Sequence, residues 1–88
     1  MDRVQITDKQ IDDAIERVDW MLGMSLKEKG HGTFASTHEI LGMATEEYNE
    51  LKEAVHNKDY GNIEEEIIDL AVGCVFALAC IRARTLDW

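Results

Sequence analysis

Four carboxylates carry the chemistry this sequence offers: Glu47 and Glu50 in Glu47-Tyr48-Asn49-Glu50, and Glu66 and Asp69 in Glu66-Ile67-Ile68-Asp69. Members of each pair are three residues apart, so on a helix they project from neighbouring positions and can aim at one point. An antiparallel helical hairpin would bring the two pairs together. Converging carboxylates repel, and a buried one is costly unless paired or bound to a cation. An all-oxygen ligand set of this charge suits Mg²⁺ or Mn²⁺ rather than zinc. Acidic pairs at this spacing also occur on solvated helix faces. What sets this group apart is Glu47, which falls at the centre of an apolar stripe where a solvated acid is out of place. Gly73, one turn past Asp69, is expected to leave open space beside that carboxylate.

The elements that must position these groups are helical. Proline is absent and Ala, Leu, Glu, Met and Ile are abundant, a composition that favours helix. Three caps predict helices near residues 8 to 29, 37 to 57 and 63 to 84 in a single all-α domain over residues 1–88. The first follows the capping-box pattern Thr7-Asp8-Lys9-Gln10, has an inner stripe of Ile11, Ala14, Ile15, Val18, Leu22 and Leu26, and stops at Gly30 as a left-handed residue. The second follows Ser36-Thr37-His38-Glu39 and places Ile40, Met43, Ala44, Leu51, Ala54 and Val55 around Glu47, while Glu46 and Glu53 point to solvent. The third is expected to start at Ile63 under an Asn62 cap.

The third helix is apolar nearly all round, with one stripe of Ile63, Ile67, Leu70, Ala71, Cys74, Leu78 and Ile81 and another of Val72, Phe76, Ala79 and Ala83. Such a helix must be covered on both sides, and two other helices cannot easily do that. Trp20 and Met24 project opposite the main stripe of the first helix. The expected architecture is therefore a three-helix chain in a homo-oligomeric bundle, with helix 3 central, Trp20 as an interface anchor and Phe76 on the covered surface.

Composition narrows the partners. Nine Lys+Arg against eighteen Asp+Glu give a net charge of -9, which repels phosphate backbones and excludes a nucleic-acid polymer. The longest apolar run, Leu70 to Ile81, falls far short of the roughly 20 residues that span a bilayer. No basic segment precedes an apolar stretch at the amino end, and two cysteines, Cys74 and Cys80, cannot staple a secreted scaffold. Both read as reduced core residues of a cytoplasmic protein.

At the carboxylates the sequence also resembles a family. Glu46-Glu47-Tyr48-Asn49-Glu50-Leu51 and Glu65-Glu66-Ile67-Ile68-Asp69-Leu70 resemble the E-E-x-x-E and E-E-x-x-D signatures of the MazG-like, all-α nucleoside triphosphate pyrophosphatases, over roughly residues 31 to 81. The resemblance implies Mg²⁺-dependent cleavage of a nucleoside triphosphate to monophosphate and pyrophosphate, in a dimer or tetramer of helical bundles. By position, Glu47, Glu50, Glu66 and Asp69 would be the metal ligands and catalytic carboxylates. Many relatives add a further helix bearing basic or amide groups for the substrate, whereas this chain runs to Trp88, and Gly42 and Met43 stand where a basic residue is expected. Lys27, Lys29, Arg82 and Arg84 are the candidate substitutes.

Two other functions fit the same residues. Phosphoribosyl-ATP pyrophosphohydrolase is a related helical enzyme of similar length, distinguished by substrate. A non-catalytic helical oligomer or regulatory module would keep the scaffold without turnover. Trp20, Phe34 and Tyr48 are the side chains able to stack on a base. His31 lies in a loop between two glycines, and His38 and His56 are too far apart on helix 2 to share a metal.

Overall fold

The computed structural model describes residues 2–88, which form three helices: α1 (Asp8–Lys29), α2 (Thr37–His56) and α3 (Tyr60–Ala83). Among the described residues there is no strand, and no helix is long and apolar enough to cross a membrane. The all-α expectation holds.

Local chemistry sets the ends. The Thr7 hydroxyl accepts from the Gln10 amide and the Gln10 side chain accepts from the Thr7 amide, a complete capping box. At α2, Ser36 accepts from the Glu39 amide, but the Glu39 carboxylate turns one residue further back, to the Ala35 amide. The third helix starts earlier than its sequence suggests. Asp59, not Asn62, is the cap, and Asn62 is the residue whose amide donates to it. Both are good capping types, and Lys58 at φ 54 turns the chain sharply enough for Asp59 to serve. Gly30 has positive φ but ψ of -172, so α1 ends in an extended glycine conformation rather than a left-handed helical one.

Helix α3 is central: α2 packs on it extensively and α1 more sparingly, while α1 and α2 do not pack on each other. The α2–α3 turn is only three residues long, so this pair is an antiparallel hairpin. At its crossing Met43 lies over Gly73, where a Cβ would stand 2.6 Å from the methionine sulfur. The space expected beside Asp69 is thus filled by Met43.

The interior of the single chain is thin. Its buried apolar residues are Ala54, Ile68, Ala77 and Cys80, and no large side chain among the described residues is fully enclosed. The longer apolar stripe of α3 is only partly covered: Ile63, Leu70 and Ala71 are half-buried, whereas Ile67, Cys74, Leu78 and Ile81 are exposed. Cys74 is therefore not a core residue, whereas Cys80 is. Phe76, expected on the covered outer surface, turns inward and meets Phe34 edge to face at 5.6 Å between ring centres. On α1 the inner stripe is half-buried only from Val18 onward; Ile11, Ala14 and Ile15 remain exposed.

The segment after α3 folds back as a clasp. The Asp87 amide donates to the Ala35 carbonyl and the Thr37 amide to the Trp88 carbonyl. The Trp88 ring lies 4.7 Å from that of His38, and the Thr33 and Thr85 hydroxyls hydrogen-bond.

Candidate metal centre

The hairpin brings three of the four expected carboxylates together. Glu47 from α2 and Glu66 and Asp69 from α3 each offer an oxygen, and these oxygens lie within 4.8 Å of one another. Glu47 and Glu66 are half-buried and Asp69 is exposed. Glu50, itself exposed, stands outside this compact set, and its charge bears on both glutamates. Glu46, Glu53 and Glu65 face solvent, so the helical rotation that separates buried from solvated acids is as the spacing predicts.

The electrostatics are those of an unbalanced cluster. Burial and the charges of Glu50, Asp69 and Glu47 push the Glu66 carboxyl up to about 7. Burial and the charges of Glu50, Asp69 and Glu46 also raise Glu47. No cationic side chain forms an ion pair with any of them; among the described residues the one salt bridge is Lys9–Asp13, on α1. One oxygen of Glu47 and one of Glu66 are shielded from solvent with no hydrogen-bond partner. Orphaned buried carboxylate oxygens are costly. Three hard oxygen donors around one point fit a divalent cation such as Mg²⁺ or Mn²⁺.

The cluster opens on a cleft of about 480 Å³ between α1, the 30–34 loop and the hairpin. Glu47 and Asp69 line it on one side, and Phe34, Phe76, Met43 and Val72 form an apolar wall. The last two turns of α1 close the other side with Met21, Met24, Ser25 and Lys29. Comparison of the chain with protein-family models, with curated proteins and with solved structures finds no match.

Of the side chains proposed to stack on a base, only Phe34 lines the cleft. Tyr48 lies on the outer side of α2, 57 % exposed, and Trp20 is also exposed, with the Arg17 guanidinium 5.0 Å from its ring centre. Among the four candidate cations only Lys29 reaches the cleft. His31, His38 and His56 are exposed and lie outside the cluster. Sequence reasoning missed the contribution of α1. The signal was available, since Met21, Met24 and Ser25 form a second, partly apolar edge in the last turns before Gly30.

Proposed function

We propose that the protein is a metal-dependent nucleoside triphosphate pyrophosphohydrolase. The observation that carries this reading is the pair of buried, partnerless oxygens on Glu47 and Glu66, beside Asp69, at the mouth of a cleft with an aromatic wall. Glu47, Glu66 and Asp69 hold the cation, and Phe34 and Phe76 with Met43 offer an apolar surface to the base. A bound divalent cation supplies neutralisation of phosphate charge and lowers the pKa of a water. Glu50, beside the cluster but outside its tight core, would be the carboxylate left to accept a proton from the attacking water. Lys29 faces the same space and offers a charge to the outer phosphates. The motif resemblance assigns attack to the α-phosphorus, so that water and triphosphate give monophosphate and pyrophosphate.

The working form is a homo-oligomer, a dimer or tetramer, in the reducing cytoplasm where Cys74 and Cys80 stay free. A 10.0 kDa monomer is expected to expose about 5,200 Å² of surface, whereas this chain exposes 7284 Å². Lys29 is the single cation among the cleft-lining residues, which favours a second reading, a metal-binding helical module without turnover. The test is pyrophosphate release from a panel of triphosphates and phosphoribosyl-ATP with Mg²⁺ or Mn²⁺. Release from one or more triphosphates without diphosphate is the expected result. Release from phosphoribosyl-ATP alone identifies the related enzyme, and no release while metal still stabilises the fold leaves the module.

A further inference from the structure

Met43 over Gly73 marks the line along which α2 and α3 meet. At about 100° per residue, α2 presents Leu41, Tyr48 and Val55 at roughly 120° to 160° round from that line, and α3 presents Ile67, Leu78 and Ile81 at roughly 80° to 140°. All six are between 49 % and 65 % exposed. The rotation has the same sense along both helices, and because the helices run antiparallel, both stripes come to the same side of the hairpin. Asp69 and Phe76 are rotated the opposite way, so the cleft lies on the other side.

We infer that this two-helix face is the docking surface for a second copy of the chain, completing a four-helix layer around helix 3. The inference rests on the homo-oligomeric part of the functional reading and names its surface. Three observations select a second copy. The chain exposes roughly 2,000 Å² more than a folded monomer of its mass, and stable obligate dimers begin near 2,000 Å² in total, about half of that from each partner. The excess is enough for such an interface. Next, the α3 stripe of Ile63, Ile67, Leu70, Cys74, Leu78 and Ile81 carries no charge in a chain with 31% charged residues. Charge depletion at the centre is what distinguishes interfaces from ordinary surface. Finally, the net charge of -9 makes two copies repel over most orientations. This face lets them meet without opposing carboxylates, and it leaves both clefts open.

Cys74 lies in the middle of the face and is exposed in the single chain, whereas Cys80 is buried within it. The experiment combines sedimentation with thiol alkylation. The wild type at micromolar concentration should sediment as a dimer or larger. Leu78→Glu and Leu41→Glu, each on a side chain that already faces outward, should sediment as folded monomers, while Ile6→Glu, outside the helices, should not change the mass. Cys74 should alkylate at least tenfold more slowly in the wild type than in Leu78→Glu, with Cys80 slow in both. If the variants fail to fold, the wild type alone decides, because diluting it should release Cys74. A monomeric wild type overturns both the oligomer and the face. An oligomer that survives both substitutions with Cys74 freely reactive overturns the face and leaves the oligomer standing.

Discussion

Close to the line where α2 and α3 meet, Glu47, Glu66 and Asp69 crowd negative charge around orphaned oxygens; further round the same helices Leu41, Tyr48, Ile67 and Leu78 present an uncharged apolar surface. The same two helices build both. Glu47 and Glu50, or Glu66 and Asp69, are three apart and stay within one narrow arc, whereas Leu41, Tyr48 and Val55 repeat every seven residues and hold a different one. A quarter turn of helix, from Glu47 to Tyr48 or from Glu66 to Ile67, thus separates an acidic cluster from an exposed apolar surface.

The sharpest way to break this contrast is to remove charge from one side alone. Asp69→Asn or Glu66→Gln keeps shape, so pyrophosphate release should fall at least about 100-fold, by the loss of metal-borne charge stabilisation. The sedimentation profile should not move. A variant that loses activity only by falling apart would show that the two sides are not separable.

Metal addition probes the cleft side without mutation. At a concentration about 100-fold above Kd the folded state gains about 2.7 kcal/mol. For a domain this small that raises Tm by on the order of 10 °C, measured by thermal denaturation with and without Mg²⁺ or Mn²⁺. Unchanged melting would remove the cation from the account.

Acidity should move the metal-free protein in a defined direction. Glu66 titrates near 7 in the folded state and in the ordinary carboxylate range when unfolded, so between those values the folded state binds the extra proton. Metal-free stability therefore falls as pH rises from about 4.5 to about 7, and levels off above. Metal affinity should run the other way, strengthening as the ligands deprotonate. Melting in chelator across this range, with Glu66→Gln flattening the slope, is the measurement; a slope of opposite sign would contradict the clustered arrangement.

The smallest effects come from the caps. Ser36→Ala and Thr7→Ala should each cost about 1 kcal/mol, with Ser36 the larger because it is buried and anchors the helix that contributes to both sides. Thr7 caps only α1, so its loss should leave the metal response and the assembly intact. Chemical denaturation resolves both.

Much of this was legible in the chain. Short-range rules located α1 and α2 because Thr7 and Ser36 cap within three residues of themselves, and the three-residue spacing singled out the acids that meet. What failed was of longer range. The choice between Asp59 and Asn62 depended on a positive φ at Lys58 that local sequence does not announce. Apolar residues run nearly all round α3, so hydrophobicity could not tell that Ile68, Ala77 and Cys80, outside both stripes, are the buried ones. Contacts from distant residues, Met43 on Gly73 and Phe34 on Phe76, settle it. Glu50 had the same spacing as the acids that meet, yet its exposed position leaves it at the rim of the cluster.

The clasp at the carboxyl end has a consequence for how the molecule breathes. Asp87 and Trp88 are bonded to Ala35 and Thr37, so the stretch from Thr33 to Trp88 returns on itself and forms nearly a ring. Helices ordinarily begin to open at their ends. Here the start of α2 is tied to the segment that follows α3, through the bonds of Asp87 and Trp88 and the Trp88 ring beside His38, so opening either end has to break these contacts as well. In hydrogen exchange, amide protection should persist out to those two ends, while the first turns of α1, around the exposed Ile11 and Ile15, exchange earliest.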